Sequence, residues 1–118
     1  MMNLSYIVDQ LSLEVCAAEQ KLDTEVTGGY ASDLLSYVMA RAKEGDVWVT
    51  MQSHVNVVAV ASLVNLAGVI ITEGTRPEPA TLEKANQEGI PILATQLTTY
   101  DVVGRMYELG VGNEGLTE

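Results

Sequence analysis

The sequence predicts an α/β fold, a mainly parallel sheet built from repeated βα units with helices on both faces. Three observations predict it. From Thr24 onward, short β-branched runs end in threonine: Val26-Thr27, Val47-Trp48-Val49-Thr50, Val69-Ile70-Ile71-Thr72 and Ile92-Leu93-Ala94-Thr95, with the threonines 23, 22 and 23 residues apart. A polar loop and a stretch with helical spacing follow each run, and about 20–25 residues is the length of one such unit. The runs are continuously apolar rather than alternating, which is the pattern of strands buried on both faces.

The elements follow in order. Residues 4–11 place Leu4, Ile7, Val8 and Leu11 on one side of a short amphipathic helix. Residues 13–17 alternate as an edge strand does. After Val26-Thr27, the glycine pair Gly28-Gly29 reads as the loop leaving the first repeat strand. Ser32 is then an expected N-cap, with Leu34, Leu35, Val38, Met39 and Ala42 as one apolar stripe and Gly45 as its end. Residues 56–66 are apolar on nearly every side, so a deeply buried helix stopped by Gly68 is expected. Pro79 suits a first helical turn and Gly89 a C-terminal cap, with Leu82 and Ala85 facing inward. Thr98 and Asp101 have capping-box spacing ahead of Val102, Val103, Met106 and Tyr107, and Gly110 closes that helix. Residues 112–118 are expected to be a frayed tail of one domain spanning 1–118.

Composition narrows the function. Six basic and sixteen acidic residues leave a net charge of −10. That disfavours nucleic acid and anionic membrane surfaces as partners, since both need basic patches. Apolar residues make up 47% of the chain and phenylalanine is missing, so the core is aliphatic. Cys16 is the one cysteine, which excludes an intrachain disulfide and a thiolate metal cage. The first residues lack the basic stretch and apolar run of a signal peptide. Residues 55–71 are the one candidate membrane span, short for the purpose and interrupted by Asn56, Ser62, Asn65 and Gly68. They divide better into a helix and a strand, and a cytoplasmic, reducing setting is expected.

In open parallel sheets, ligands bind beyond the carboxyl ends of the strands. The polar residues expected there, and hence the candidate ligand-binding set, fall in four groups. These are Thr27, Gly28, Gly29, Ser32 and Asp33; Thr50, Gln52, His54 and Asn56; Thr72, Glu73 and Arg76; and Thr95. Gly28-Gly29 before a helix would let backbone amides approach an anion, although a glycine pair also makes an ordinary turn. His54 with Asp33 and Glu73 is a conceivable three-ligand metal set; the plainer reading has His54 bonding the start of the next helix. The threonines could offer hydroxyls, and strand propensity and capping also account for them. Arg76 reads as the one basic side chain on this rim, with Arg41, Lys43, Lys84 and Arg105 as solvated charges elsewhere. Neither GxxxxGK[ST] nor GxGxxG occurs, so no nucleotide motif, catalytic residue or cofactor is assigned.

Several long stretches together resemble the small stand-alone DRTGG-domain proteins. They are Val26-Thr27-Gly28-Gly29-Tyr30-Ala31-Ser32-Asp33-Leu34-Leu35-Ser36, Gly45-Asp46-Val47-Trp48-Val49-Thr50 and His54-Val55-Asn56-Val57-Val58-Ala59-Val60-Ala61. Gly89-Ile90-Pro91-Ile92-Leu93-Ala94-Thr95 and Tyr107-Glu108-Leu109-Gly110 continue the likeness over nearly the whole chain. The eponymous motif is not present literally; its nearest counterpart is Ile71-Thr72-Glu73-Gly74, with Glu73 where related domains often have glycine.

The resemblance implies a three-layer α/β/α domain similar to the N-terminal domain of HPr kinase/phosphorylase, without the kinase domain. Similar domains lie beside nucleotide-sensing CBS modules in regulated pyrophosphatases and in long phosphotransacetylases, as regulatory or dimerising parts. The expectation is therefore a non-enzymatic cytoplasmic module, a homodimer that binds a small metabolite or nucleotide at the strand ends. The alternatives are a small metal-dependent enzyme using Asp33, His54 and Glu73, or a protein-interaction adaptor whose acidic surface meets a basic partner protein.

Overall fold

The computed structural model describes residues 2–112. The Asn3 side chain accepts the Tyr6 N–H at 3.0 Å and so caps α1 (Leu4–Leu11). Leu4, Ile7 and Leu11 share one side of α1 and are buried, as their spacing predicts. β1 (Glu14–Ala17) and β2 (Gly28–Ala31) follow, and then α2 (Leu35–Arg41) and β3 (Asp46–Thr50). The chain continues through α3 (Asn56–Val64), β4 (Gly68–Ile71), α4 (Pro79–Glu88), β5 (Ile92–Ala94) and α5 (Thr99–Glu108).

The strands form one five-stranded sheet in the order β1-β5-β4-β3-β2. β2 to β5 run parallel, and β1 lies antiparallel against β5 at the edge. Strand order advances in one direction from β2 to β5, so α2, α3 and α4 return over the same face. There Val38, Val57, Val58, Ala61 and Ala85 pack with Trp48, Val69, Ile71 and Ile92. α1 and α5 cover the other face, where Leu4, Ile7, Val102 and Met106 meet Val47, Val49, Ile70 and Leu93. In β3, Trp48 points to one layer and its neighbours Val47 and Val49 to the other, so the strand reads as one apolar run. The fold is three-layer α/β/α.

Four local expectations are corrected. The first repeat strand is Gly28–Ala31, not Val26-Thr27. In α2 only Val38 of the expected stripe is buried, while Leu34 and Met39 are exposed. That helix packs chiefly against α3, its neighbour in the same layer, so a narrow side of it is covered. α3 is buried at Val57, Val58, Val60 and Ala61, yet Leu63 is 71% exposed. Left-handed Asn65 ends α3, and Gly68 instead begins β4. Residues 55–71 thus divide into a helix and a strand, and no helix among the described residues is long and apolar enough to cross a membrane. Of the expected tail, residues 113–118 lie outside the described residues.

Candidate functional site

The parallel strands bring the polar residues that follow β3, β4 and β5 to one rim. Ala31 pairs with Val49, so Ser32 and Asp33 reach the same rim after β2. Because β1 is antiparallel, its first residue Glu14 lies opposite Ala94 and joins them.

Thr27, Gly28 and Gly29 do not. Gly28 pairs with Asp46, the first residue of β3, which puts this trio at the opposite edge of the sheet. The glycines are there for close packing within a strand. A Cβ on Gly28 would come within 2.6 Å of Asp46 Oδ1, and one on Gly29 within 3.2 Å of Met106 Cε. Thr27 donates its hydroxyl to the Glu44 carbonyl at 3.2 Å. The expected anion loop is therefore a strand start on the far side from the rim.

At the rim itself, side chains hold loops in place. Asp33 Oδ1 accepts from the Thr50 hydroxyl at 2.8 Å and the Met51 N–H at 2.7 Å, tying the β2–α2 connection to the end of β3. Gln52 Nε2 returns a bond to the Asp33 carbonyl at 2.9 Å, and Ser32 Oγ accepts the Leu34 N–H at 3.1 Å. Ser32 thus supports the approach to α2 from two residues before its N-cap, Leu34. His54 Nδ1 accepts the Asn56 N–H at 3.1 Å, which is the plainer of the two roles read from sequence. Thr72 and Thr99 share a 2.6 Å hydroxyl contact, and Thr95 Oγ1 accepts the Leu97 N–H at 3.1 Å. Glu73 Oε2 accepts the Thr99 N–H at 2.8 Å at the start of α5.

These commitments leave the proposed metal set apart. Asp33 serves the end of β3, His54 the start of α3 and Glu73 the start of α5. Among the described residues, no group of three or more His, Cys, Asp or Glu is placed to hold a metal ion. The metal-dependent reading of Asp33, His54 and Glu73 is corrected accordingly.

The rim opens between β4 and β5. The chain leaves β4 for α4 on one face and leaves β5 for α5 on the other, and such a divergence creates a crevice at the carboxyl ends. A concavity of about 510 Å³ lies on the outer side of β5, where its end meets the start of the edge strand β1, bordered by Ser12, Thr95, Gln96, Arg76, Glu14 and Arg105. Arg76 donates through both terminal nitrogens to the Glu14 carboxylate, at 2.8 and 2.9 Å. Those bonds, and next the guanidinium charge, hold the Glu14 carboxyl below its ordinary value, while Arg76 is pushed up in return. Burial, followed by the Glu14 charge, raises the nearby Cys16 thiol. Arg76 is not the one basic group here, because Arg105 borders the same concavity.

The DRTGG domain family matches residues 6–109. The chain belongs to this family. No curated protein sequence matches it. Among the solved structures that match is that of the CBS and DRTGG domains of the regulatory region of Clostridium perfringens pyrophosphatase, complexed with its activator diadenosine tetraphosphate. The TM-score is 0.70 at 18% identity, over 86% of this chain and 44% of that one. The chain thus spans less than half of that regulatory region, and the likeness is one of fold.

Sequence reasoning missed two features of this DRTGG domain. Glu14 and Arg105 come to the rim through an antiparallel edge strand and a helix on the far layer, which a βα repeat does not announce. A second apolar side of α5 is also solvent-accessible: Tyr100, Val103 and Tyr107 are exposed at 87%, 40% and 52%. Tyr107 and Val103 border a groove of about 250 Å³ against Gly29 and Ala31 of β2. The spacing of 100, 103 and 107 was a readable signal for that side.

Proposed function

We propose that this DRTGG domain is a non-enzymatic regulatory module of the cytoplasm, one domain that senses a small metabolite or nucleotide at the strand carboxyl ends and assembles as a homodimer. The observation that carries the reading is the state of the rim. Asp33, His54 and Glu73, the groups best suited to acid–base chemistry, are bonded to three different structural elements instead of converging on a shared point. A rim so built favours recognition over turnover. The open concavity at the carboxyl end of β5, beside β1, offers the space for it. The activator bound by the pyrophosphatase regulatory region supports a nucleotide among the candidates.

Of the residues expected to bind, Ser32, Asp33, Thr50, Gln52, His54, Asn56, Thr72 and Glu73 would act through the loops they hold or border. Arg76 and Thr95 would meet ligand directly. Dimerisation is supported by the exposed apolar side chains Tyr100 and Val103 of α5, of which Val103 borders the groove beside β2, the last strand of the sheet. A twofold assembly would bury such a patch against its own copy. The net charge of −10 disfavours nucleic acid and membrane as partners and suits a basic partner protein. Light scattering tests the assembly: a mass near twice 12.7 kDa is expected, falling to a single chain with Val103→Asp. A monomeric parent protein at micromolar concentration would contradict the dimer.

A further inference from the structure

We propose that the concavity between the end of β5 and the start of β1 is a binding site for a small anion, the carboxylate or phosphate group of a metabolite, held between Arg76 and Arg105. This rests on the ligand-sensing reading and adds its place and its chemistry.

The electrostatic argument is the first. The chain carries −10 overall with only six Lys and Arg. Yet the charged side chains bordering this concavity are two guanidiniums, Arg76 and Arg105, against one carboxylate, Glu14. The local balance is one positive charge on an acidic protein, and a concave setting focuses that field on an entering anion. One excess positive charge suits a monoanion.

Geometry supplies the second argument. Glu14 engages Arg76 through two of its N–H groups, which fixes the guanidinium plane at the mouth of the concavity. A guanidinium has five N–H donors, so the two bonds to Glu14 leave others able to meet a ligand. Arg105 has no ion pair among the described residues. Thr95 accepts the Leu97 N–H through its oxygen, which leaves its own O–H to donate. Donors from β5's end, the β4–α4 loop and α5 thus border one space beside the edge strand β1.

Titration with potassium phosphate and, separately, potassium acetate at constant ionic strength, followed by backbone amide NMR shifts, tests the site. Saturable shifts at Thr95, Gln96 and Leu97 are expected, and the arm with the lower Kd identifies phosphate or carboxylate as the preferred group. Arg105→Gln should weaken binding about three- to tenfold, as a change of one charge a few ångströms away in a hydrated site requires. Arg41→Gln, on α2, should change nothing. Non-saturating shifts in both arms, or Arg105→Gln binding as the parent does, would overturn the proposal. So would a nucleotide that stabilises the fold while leaving these amides unmoved, although ligand sensing itself would then stand.

Discussion

The carboxylate of Glu73, at the end of β4, accepts the backbone N–H of Thr99 at 2.8 Å, 26 positions along the chain. Glu73 achieves this from a left-handed backbone with φ +65°. A charged acceptor at a helix start meets an unpaired N–H and the positive end of the dipole, which offsets the backbone cost. The pair locks the two loops at the point where α4 and α5 part to opposite faces.

Removing that cap separates the two contributions. Glu73→Ala keeps the left-handed cost and loses the acceptor, so a loss of about 1–2 kcal/mol is expected in urea unfolding. Glu73→Gly loses the same acceptor but relieves roughly 1 kcal/mol of backbone cost. It should therefore be the more stable of the two, and the reverse order would contradict the role given to the cap.

Asp33 is the corresponding latch at the other end of the rim. Thr50 is 1% exposed, and its hydroxyl donates to Asp33 while accepting the Gln52 N–H. Asp33→Ala leaves the Thr50 hydroxyl without its acceptor, at a cost of about 1–3 kcal/mol. A double-mutant cycle with Thr50→Val should show positive coupling; additive losses would mean that the pair does not act together.

Gly28 tests the corrected strand. In a turn, alanine is tolerated wherever φ is negative. In β2 its Cβ would press on the Asp46 carboxylate, whose other oxygen accepts the Lys43 N–H at 2.9 Å. Gly28→Ala should cost about 1–3 kcal/mol by overpacking, with amide shifts centred on Lys43 and Asp46 and none at Thr50 or Thr95. Disturbance at the rim would restore the loop reading.

That position also shows where sequence reading stops. Thr50, Thr72 and Thr95 mark true strand ends because β3, β4 and β5 are apolar on both faces, and only such strands give uninterrupted runs. β2 is an edge strand of Gly28-Gly29-Tyr30-Ala31, so it has no run to read, and Thr27 matched the spacing from the wrong edge. Helix boundaries with strong local chemistry, the Pro79 start and the Thr98 cap, were legible. Contacts between distant segments were not. Glu14 with Arg76 spans 62 positions, and no local pattern encodes that pairing.

The same pair sets a pH dependence. The Glu14 carboxyl lies below its ordinary value, through hydrogen bonds to Arg76 and then its charge. A lowered native pKa lends stability that is full above the unfolded value and disappears as pH falls through the native one. Both side chains are 58% exposed, so the effect on stability is small and the titration itself is the better readout. By carboxyl NMR, Arg76→Gln should move the Glu14 midpoint up into the usual glutamate range. An unmoved midpoint would mean the ion pair is not formed in solution.

Thermal unfolding across a panel of nucleotides and small anionic metabolites tests the central claim most directly. A ligand that binds only the folded chain raises the transition in proportion to the logarithm of its concentration above Kd. At least one compound is expected to do so, with the shift reduced in Arg76→Gln. A transition that stays flat across the panel would contradict a ligand-sensing function for this DRTGG domain.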